Sequence, residues 1–486
     1  MRLSELLDGL DYRRAAGVAD PECDGLAYDS RRVTPGTVFF ALPGEKTDGH
    51  DHTAEAVERG AVAVVAERDC GLPSSVAQIF TVSTRKAMAF AAARFHRNPS
   101  RDLKVIGITG TNGKTTVAYL ARHILKHAGL VAGLLGTVEY DVGNRVLPAA
   151  RTTPEALELQ QLLAQMRDAG CAACVMEVSS HALAQDRVDS VEFDIALFTN
   201  LTQDHLDYHG DMEAYFATKR KLLDGLKNRA DAIVNLDDPF GVRLAEGPVL
   251  TFGHSNNATV RAVDFTLGTT STRLKVKTPA GSLPVLLPLI GHHNISNALA
   301  AFAIARTLGV GDDIIAVALA SAPPVPGRLE PIVEGQPFGL FVDYAHTDDA
   351  LRQILKTLRE IADGRLLVAF GCGGNRDAGK RRQMGAAAAE WADEIIITTD
   401  NPRREDPGII AEQVAEGCRA TRTDGFEIEL DRARAIDEII RRARPGDTVL
   451  IAGKGHETYQ EMGDTVMPFD DREQARQMLA ALGFGQ

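Results

Sequence analysis

Gly110-Thr111-Asn112-Gly113-Lys114-Thr115-Thr116 joins an apolar segment, Lys104 to Thr109, to a segment from Val117 to Ala128 that carries helix formers at helical spacing. Glycines between a strand and a helix let backbone N–H groups close around phosphate oxygens, where the helix dipole also favours negative charge. A lysine ending such a loop reaches β- and γ-phosphates, and the hydroxyl of a threonine after it can bind Mg²⁺. The run predicts a cradle for a nucleoside triphosphate. The position six residues before Lys114 is Ile108 rather than glycine, so the loop is a shorter variant anchored by Gly110.

Further polar residues follow apolar runs, which is where parallel sheets place ligands. Ala173 to Met176 leads into Glu177-Val178-Ser179-Ser180-His181, and Phe193 to Phe198 leads into Thr199-Asn200 and Asp204-His205. Later in the chain, Leu366 to Phe370 opens into Gly371 to Asp377, Glu394 to Thr399 into Asp400-Asn401-Pro402-Arg403, and Thr448 to Ala452 into Gly453-Lys454-Gly455-His456-Glu457. These exits predict two half-sites facing each other. Thr115, Glu177 and His205 are the candidates for Mg²⁺, which takes oxygen ligands and keeps waters. Arg376, Arg403 and Lys454 would give the later exits a basic lining suited to a carboxylate. On pattern alone, Lys219 is a solvated helix-face lysine and His181 a structural histidine.

The elements that must position these groups read as α/β throughout. Gly36 to Leu42 and Ala61 to Ala66 are predicted strands of a first segment, and strand–helix alternation afterwards predicts parallel sheets. Asn98 to Arg101 punctuates the chain before the phosphate loop, and Ala322-Pro323-Pro324-Val325-Pro326-Gly327 reads as the clearest linker. Three domains follow, at 1–98, 99–324 and 325–486: a central P-loop ATPase-like parallel sheet is flanked by an N-terminal segment and a C-terminal Rossmann-like domain. The 486 residues are 44% apolar, enough for several cores. A net charge of −13 argues against non-specific nucleic-acid binding. The six cysteines are scattered, and Cys171-Ala-Ala-Cys174 has no second pair, so buried thiols are expected rather than zinc. With no apolar run near the ~18 residues of a membrane span, a soluble, reduced, cytoplasmic protein is expected, acting as a monomer.

Together the motifs resemble the Mur ligase family of ATP-dependent peptide ligases in peptidoglycan synthesis. The resemblance rests on Gly110 to Thr116, Met176 to His181, Asn200 with Asp204 to Gly210, Tyr215 to Lys219, Gly291 to Asn297, Pro326 to Glu330 and Asp343 to His346. Asp29-Ser30-Arg31 and Asp400 to Arg403 look like the branch that adds the third peptide residue, the latter being similar to enzymes that choose meso-diaminopimelate. The alternative is the same ligation with L-lysine.

The resemblance implies roles. Tyr28, Ser30, Glu45, Lys46 and Thr47 would hold the UDP part of UDP-N-acetylmuramoyl-L-alanyl-D-glutamate, and Thr152, Thr153, Ser179, Gln185 and Arg187 its sugar and peptide. Gly110, Thr111, Asn112, Gly113, Lys114, Thr115, Thr116, Asn294, Arg328, Asp343 and His346 would bind ATP. Lys219 matches a lysine carbamylated by CO₂ that binds Mg²⁺ with Thr115, Glu177 and His205, and Lys114, Lys219 and His205 would serve catalysis. Arg376, Asp400, Asn401, Pro402, Arg403, Gly453 and Glu457 would hold diaminopimelate. Arg151, Asp348 and Asn375 depart from the family's usual asparagine, proline and aspartate.

Overall fold

The computed structural model describes residues 1–14, 20–44 and 47–485, in three successive α/β units. In the first, strands Gly25–Ala27, Thr37–Phe40, Ala61–Ala66 and Ala77–Phe80 pair in parallel, and Arg13–Arg14 adds an antiparallel edge. The predicted strands at 36–42 and 61–66 are both present.

The central sheet has eleven strands. An interior strand, Lys104–Thr109, feeds the phosphate loop and lies parallel between Ala173–Glu177 and Ile195–Phe198. All three strands are apolar and buried on both faces, as a sheet covered on both sides requires. Val117, Leu120 and Ile124 of helix Lys114–His127 pack with Leu299, Phe302 and Ile304 of helix His292–Thr307 on one face. Leu159 and Leu163 of helix Ala156–Asp168, with Tyr215, Leu222 and Leu223 of helix Met212–Asp224, cover the other. The sheet departs from the expected parallel arrangement at both ends. Val260–Leu267, Thr272–Thr278 and Gly281–Leu287 form an antiparallel meander, and Glu139–Asp141 and Val146–Pro148 an antiparallel hairpin. The alternating burial of Thr272–Thr278 is the mark of a strand with one wet face.

The last sheet runs in parallel through Gly339–Asp343, Thr448–Ala452, Leu366–Phe370, Glu394–Ile397 and Phe426–Ile428, with Glu330–Pro331 antiparallel at its edge. Ala452 is in register with both Asp343 and Phe370, so the exits after these three strands open at one end of the sheet. The Pro-rich stretch before it is a packed connection: Ala322 and Val325 are buried. Cys171 and Cys174 are buried free thiols, as expected. Among the described residues, no helix is long and apolar enough to cross a membrane.

Candidate active site

Gly110 and Gly113 both take positive φ, +145° and +87°. A side chain at either would strike a neighbour, Thr199 Oγ1 at the first and Asn297 Oδ1 at the second, so glycine is required on conformational and steric grounds. The loop is tied to the next strand exit. Thr111 N–H donates to Asn200 O at 2.9 Å, Asn112 N–H to Asn200 Oδ1 at 2.9 Å, and Thr199 Oγ1 to Asn112 O at 2.7 Å. Lys114 folds back over the loop, with Nζ donating to the carbonyls of Gly110 (3.0 Å) and Thr111 (2.8 Å).

Behind the loop, Thr115 Oγ1 donates to Glu177 Oε2 at 3.0 Å, and Thr137 supplies its N–H to Oε1 (2.9 Å) and its hydroxyl to Oε2 (3.1 Å). Glu177 is buried, so the lone strand-end carboxylate is an organised group rather than a surface residue. Thr137 was not singled out from the sequence, although it also follows an apolar strand, Ala132–Leu135. The hydroxyl of Thr115 and the carboxylate of Glu177 form a hard oxygen set at the head of the phosphate-loop helix, which fits Mg²⁺. Among the described residues no three His, Cys, Asp or Glu side chains gather as a metal cluster.

Lys219 is buried, contrary to its appearance as a solvated helix residue. Its Nζ donates to Gly110 O at 2.9 Å, the same oxygen that Lys114 uses, and lies 4.6 Å from the Tyr215 ring centre. Burial first, and the Lys114 charge second, hold its pKa well below the usual lysine range. His205, with left-handed φ of +54°, stacks edge-on against His181 at 4.8 Å. Its pKa is lowered to about 4 by burial, with Lys114 and Lys219 adding repulsion and Asp204 opposing. His181 also packs on Tyr208, at 4.4 Å.

The C-terminal unit reaches into this site. Arg328 Nη2 donates to Thr115 Oγ1 at 3.1 Å, and its guanidinium lies over the Tyr344 ring at 4.7 Å. Asp343 accepts from Leu329 N–H and Ala345 N–H, both at 2.6 Å, and burial raises its pKa to about 6. His346 Nδ1 meets Tyr344 O at 2.9 Å. Asn294 bonds Ile290 O and accepts from Asn297, which holds the start of the helix against the loop. Asp348 opens helix Asp348–Ile361, where a negative charge suits the dipole.

A second group lies between the first and central units. Thr153 Oγ1 donates to Glu177 O at 2.9 Å and accepts from Ser179 N–H at 3.0 Å, while Arg187 Nη1 donates to Thr153 O at 3.1 Å and Nη2 to Gln185 Oε1 at 2.6 Å. Thr152 Oγ1 lies 3.1 Å from Thr137 Oγ1. Arg151 and Arg187 converge on Glu155 Oε1 at 2.7 and 3.0 Å, which gives Arg151 a structural partner. Tyr28 crosses the unit boundary to Glu158 at 3.0 Å, and Ser30 Oγ bonds Glu55 at 2.8 Å. Thr47 follows Glu45 and Lys46, which lie outside the described residues.

A third group sits at the exits of the last sheet. Asn401 Nδ2 donates to Glu457 Oε2 at 2.9 Å, and Arg403 Nη1 to Gly374 O at 2.8 Å. Gly374 N–H bonds Asn401 O at 2.8 Å, zipping the glycine loop to the buried Pro402 segment. Gly453 takes φ of +112° beside Asp400, and Arg376 is exposed on the glycine loop. Lys454 does not line the exits as expected. It is fully buried, 3.0 Å from Glu457 Oε2 and 3.7 Å from Asp400 Oδ1. Asn375 accepts from Arg404 N–H at 3.1 Å through Oδ1, a bond that joins the two loops.

A phosphate cradle closed over by a second α/β unit is the arrangement of a nucleotide-dependent ligase, and comparison with known proteins agrees. Family models described as Mur ligase family, catalytic domain, Mur ligase middle domain, and Mur ligase, glutamate ligase domain match residues 22–96, 108–305 and 327–455. The chain is 45% identical over 494 residues to UDP-N-acetylmuramoyl-L-alanyl-D-glutamate--2,6-diaminopimelate ligase of Solibacter usitatus, covering 100% of both. It is 44% identical to the protein of that name from Geobacillus thermodenitrificans, covering 98% of this chain and 99% of the relative. A solved structure of a ligase with that name superposes with a TM-score of 0.68 at 32% identity, covering 95% of each chain. A MurF ligase from Thermotoga maritima in complex with ADP shares the fold, with a TM-score of 0.62 at 20% identity over 94% of this chain and 97% of its own. The chain belongs to the Mur ligase family.

Proposed function

We infer that this chain is an ATP-dependent amide ligase that joins meso-2,6-diaminopimelate to the D-glutamate side-chain carboxylate of UDP-N-acetylmuramoyl-L-alanyl-D-glutamate. The observation that carries the acceptor is full-length identity of 42–45% to relatives that bear this activity in their names, with Asp400, Asn401 and Arg403 gathered at one site. L-lysine in the same place would bring no carboxylate to Arg403, whose Nη2 has no partner among the described residues.

A carboxylate is a poor electrophile at neutral pH, so it must be activated. One of its oxygens attacks the γ-phosphorus and the bond to the β-phosphate oxygen breaks, giving ADP and an acyl phosphate. The neutral amine of diaminopimelate then adds to the acyl carbon, phosphate leaves with that carboxylate oxygen, and the amine proton is lost. Lys114 swings from its two loop carbonyls to the phosphates and meets the charge developing on the transferring group. Arg328, delivered by the C-terminal unit, completes the nucleotide site, with Asn294, Asp343 and His346 in support. Closure of that unit keeps water from the acyl phosphate.

Thr115, Glu177 and His205, with a carbamate on Lys219, would hold Mg²⁺, which when bound neutralises charge on the phosphoryl oxygens. The carbamate is supported by geometry. Two amines share one carbonyl oxygen, and among the described residues no carboxylate lies within ion-pair distance of Lys219. An amine so placed is favoured neutral, the form that adds CO₂. Tyr28, Ser30, Thr152, Thr153, Ser179, Gln185 and Arg187 hold the UDP-linked acceptor. The enzyme acts in the cytoplasm, where its UDP-linked substrate and ATP are at hand.

The mechanism is tested with the D-glutamate carboxylate labelled with ¹⁸O. One label should appear in released phosphate for each amide formed. Phosphate free of label would overturn the acyl-phosphate route.

A further inference from the structure

We propose that Glu461 is a positioning residue for the acceptor amino acid: it fixes the Arg403 guanidinium so that its free edge meets the distal carboxylate of diaminopimelate. The inference rests on the acceptor reading above and adds a residue that none of the motifs singled out.

Arg403 takes a left-handed backbone, φ +52°, which a β-substituted residue holds only when its surroundings over-determine it. The surroundings are the first strand of the hairpin Tyr459–Met462 and Thr465–Pro468. Arg403 N–H donates to Glu461 O at 3.2 Å, Gly463 N–H donates to Arg403 O at 2.7 Å, and Glu461 N–H donates to Asn401 Oδ1 at 3.0 Å. These backbone ties leave the Glu461 carboxylate for a separate task. Its Oε2 lies 2.8 Å from Arg403 Nε, while Arg403 Nη1 donates to Gly374 O at 2.8 Å. The ion pair on the Nε side and the hydrogen bond from Nη1 restrain the guanidinium from two sides, although Glu461 Oε2 itself accepts no hydrogen bond. Arg403 Nη2 has no partner among the described residues and is left for a carboxylate. The two side chains are 28% and 31% exposed, so the pair is not one of the solvated surface pairs that contribute little.

Because the backbone ties do not depend on the side chain, Glu461→Ala frees the guanidinium and spares the loop. Steady-state constants are measured for wild type, Glu461→Ala, Glu461→Gln, Arg403→Ala and the double variant. Glu461→Ala should raise KM for meso-diaminopimelate about 10-fold, the scale of immobilising one flexible side chain, with kcat and the KM values for ATP and the UDP-linked acceptor within about 2-fold. Glu461→Gln, which keeps the shape but removes the charge, should show most of the same loss, because the contact is an ion pair in which Glu461 Oε2 accepts no hydrogen bond. In the Arg403→Ala background Glu461→Ala should add nothing, because the group it positions is gone. An unchanged or lowered KM in Glu461→Ala would overturn the proposal, as would an equal effect in the Arg403→Ala background. A wild type that shows no preference for meso-diaminopimelate over L-lysine would instead refute the acceptor reading, and this proposal with it.

Discussion

Lys219 and Lys454 are both buried, at 1% and 0% exposure, yet their surroundings are opposite. Lys454 Nζ sits among acidic and amide groups, 3.0 Å from Glu457 Oε2, 3.7 Å from Asp400 Oδ1 and 3.1 Å from Asn401 Oδ1. Lys219 Nζ has a carbonyl that it shares with a second amine, and its charged form is disfavoured by burial and by Lys114. Burial alone therefore does not decide what a lysine does. With carboxylates beside it, Lys454 ties the Asp400–Asn401 exit to Glu457. Without them, burial and the neighbouring Lys114 charge disfavour the charged form.

The largest effect expected at the acceptor end is on discrimination. Arg403→Ala should raise KM for meso-diaminopimelate strongly and collapse its preference over L-lysine, since an unpaired group in a closed site can be worth on the order of 10⁴-fold in specificity. The readout is kcat/KM for both amino acids, with ATP and the UDP-linked acceptor little affected. A variant that keeps its preference would remove Arg403 from the acceptor site.

Stability should separate the two lysines. Lys454→Met strands Glu457 and Asp400 without their cation, and breaking a buried pair in this way costs about 3–5 kcal/mol. Urea denaturation should show that loss for Lys454→Met and none for Lys219→Met. Equal losses would erase the contrast.

At the nucleotide end, Lys114→Ala should lower the rate of acyl-phosphate formation by on the order of 10² or more while leaving the fold intact. Near-wild-type turnover would sink the phosphate-loop assignment. Lys219→Ala should be nearly inactive, with partial return on adding short carboxylic acids that replace the carbamate.

The smallest effect is on pH dependence. The folded pKa of Lys219 lies below its ordinary value of 10.5, so between the two the unfolded chain carries a proton that the folded chain does not. Stability must then rise with pH across that window, and Lys219→Met should flatten the rise. Denaturation midpoints measured from neutral to alkaline pH in CO₂-free buffer test the sign.

How much of this was legible in the sequence follows from how local each feature is. The strands Lys104–Thr109, Leu366–Phe370 and Thr448–Ala452 coincide with their apolar runs, and Gly110 and Gly113 stand where the chain must turn. Thr153, Ser179 and Arg187, which lie far apart in the chain, are joined by hydrogen bonds through Thr153. Lys454 was misread because its neighbours Asp400 and Asn401 come from another loop, and a charged residue after a strand looks solvated until its partners are known. Thr137, Glu155 and Glu461 went unnoticed for the same reason: each acts through partners distant in the chain or on another loop. The antiparallel additions to the central sheet were missed because strand–helix alternation predicts crossovers, not a meander that has no helix in it.

The central claim is tested most directly by amide formation from the UDP-linked dipeptide, ATP and a panel of amino acids, with ADP release followed in parallel. The account predicts that meso-diaminopimelate gives product, that L-lysine gives little, and that ADP appears only when the UDP-linked acceptor is present. Comparable product from L-lysine, or ATP hydrolysis indifferent to the UDP-linked acceptor, would contradict it.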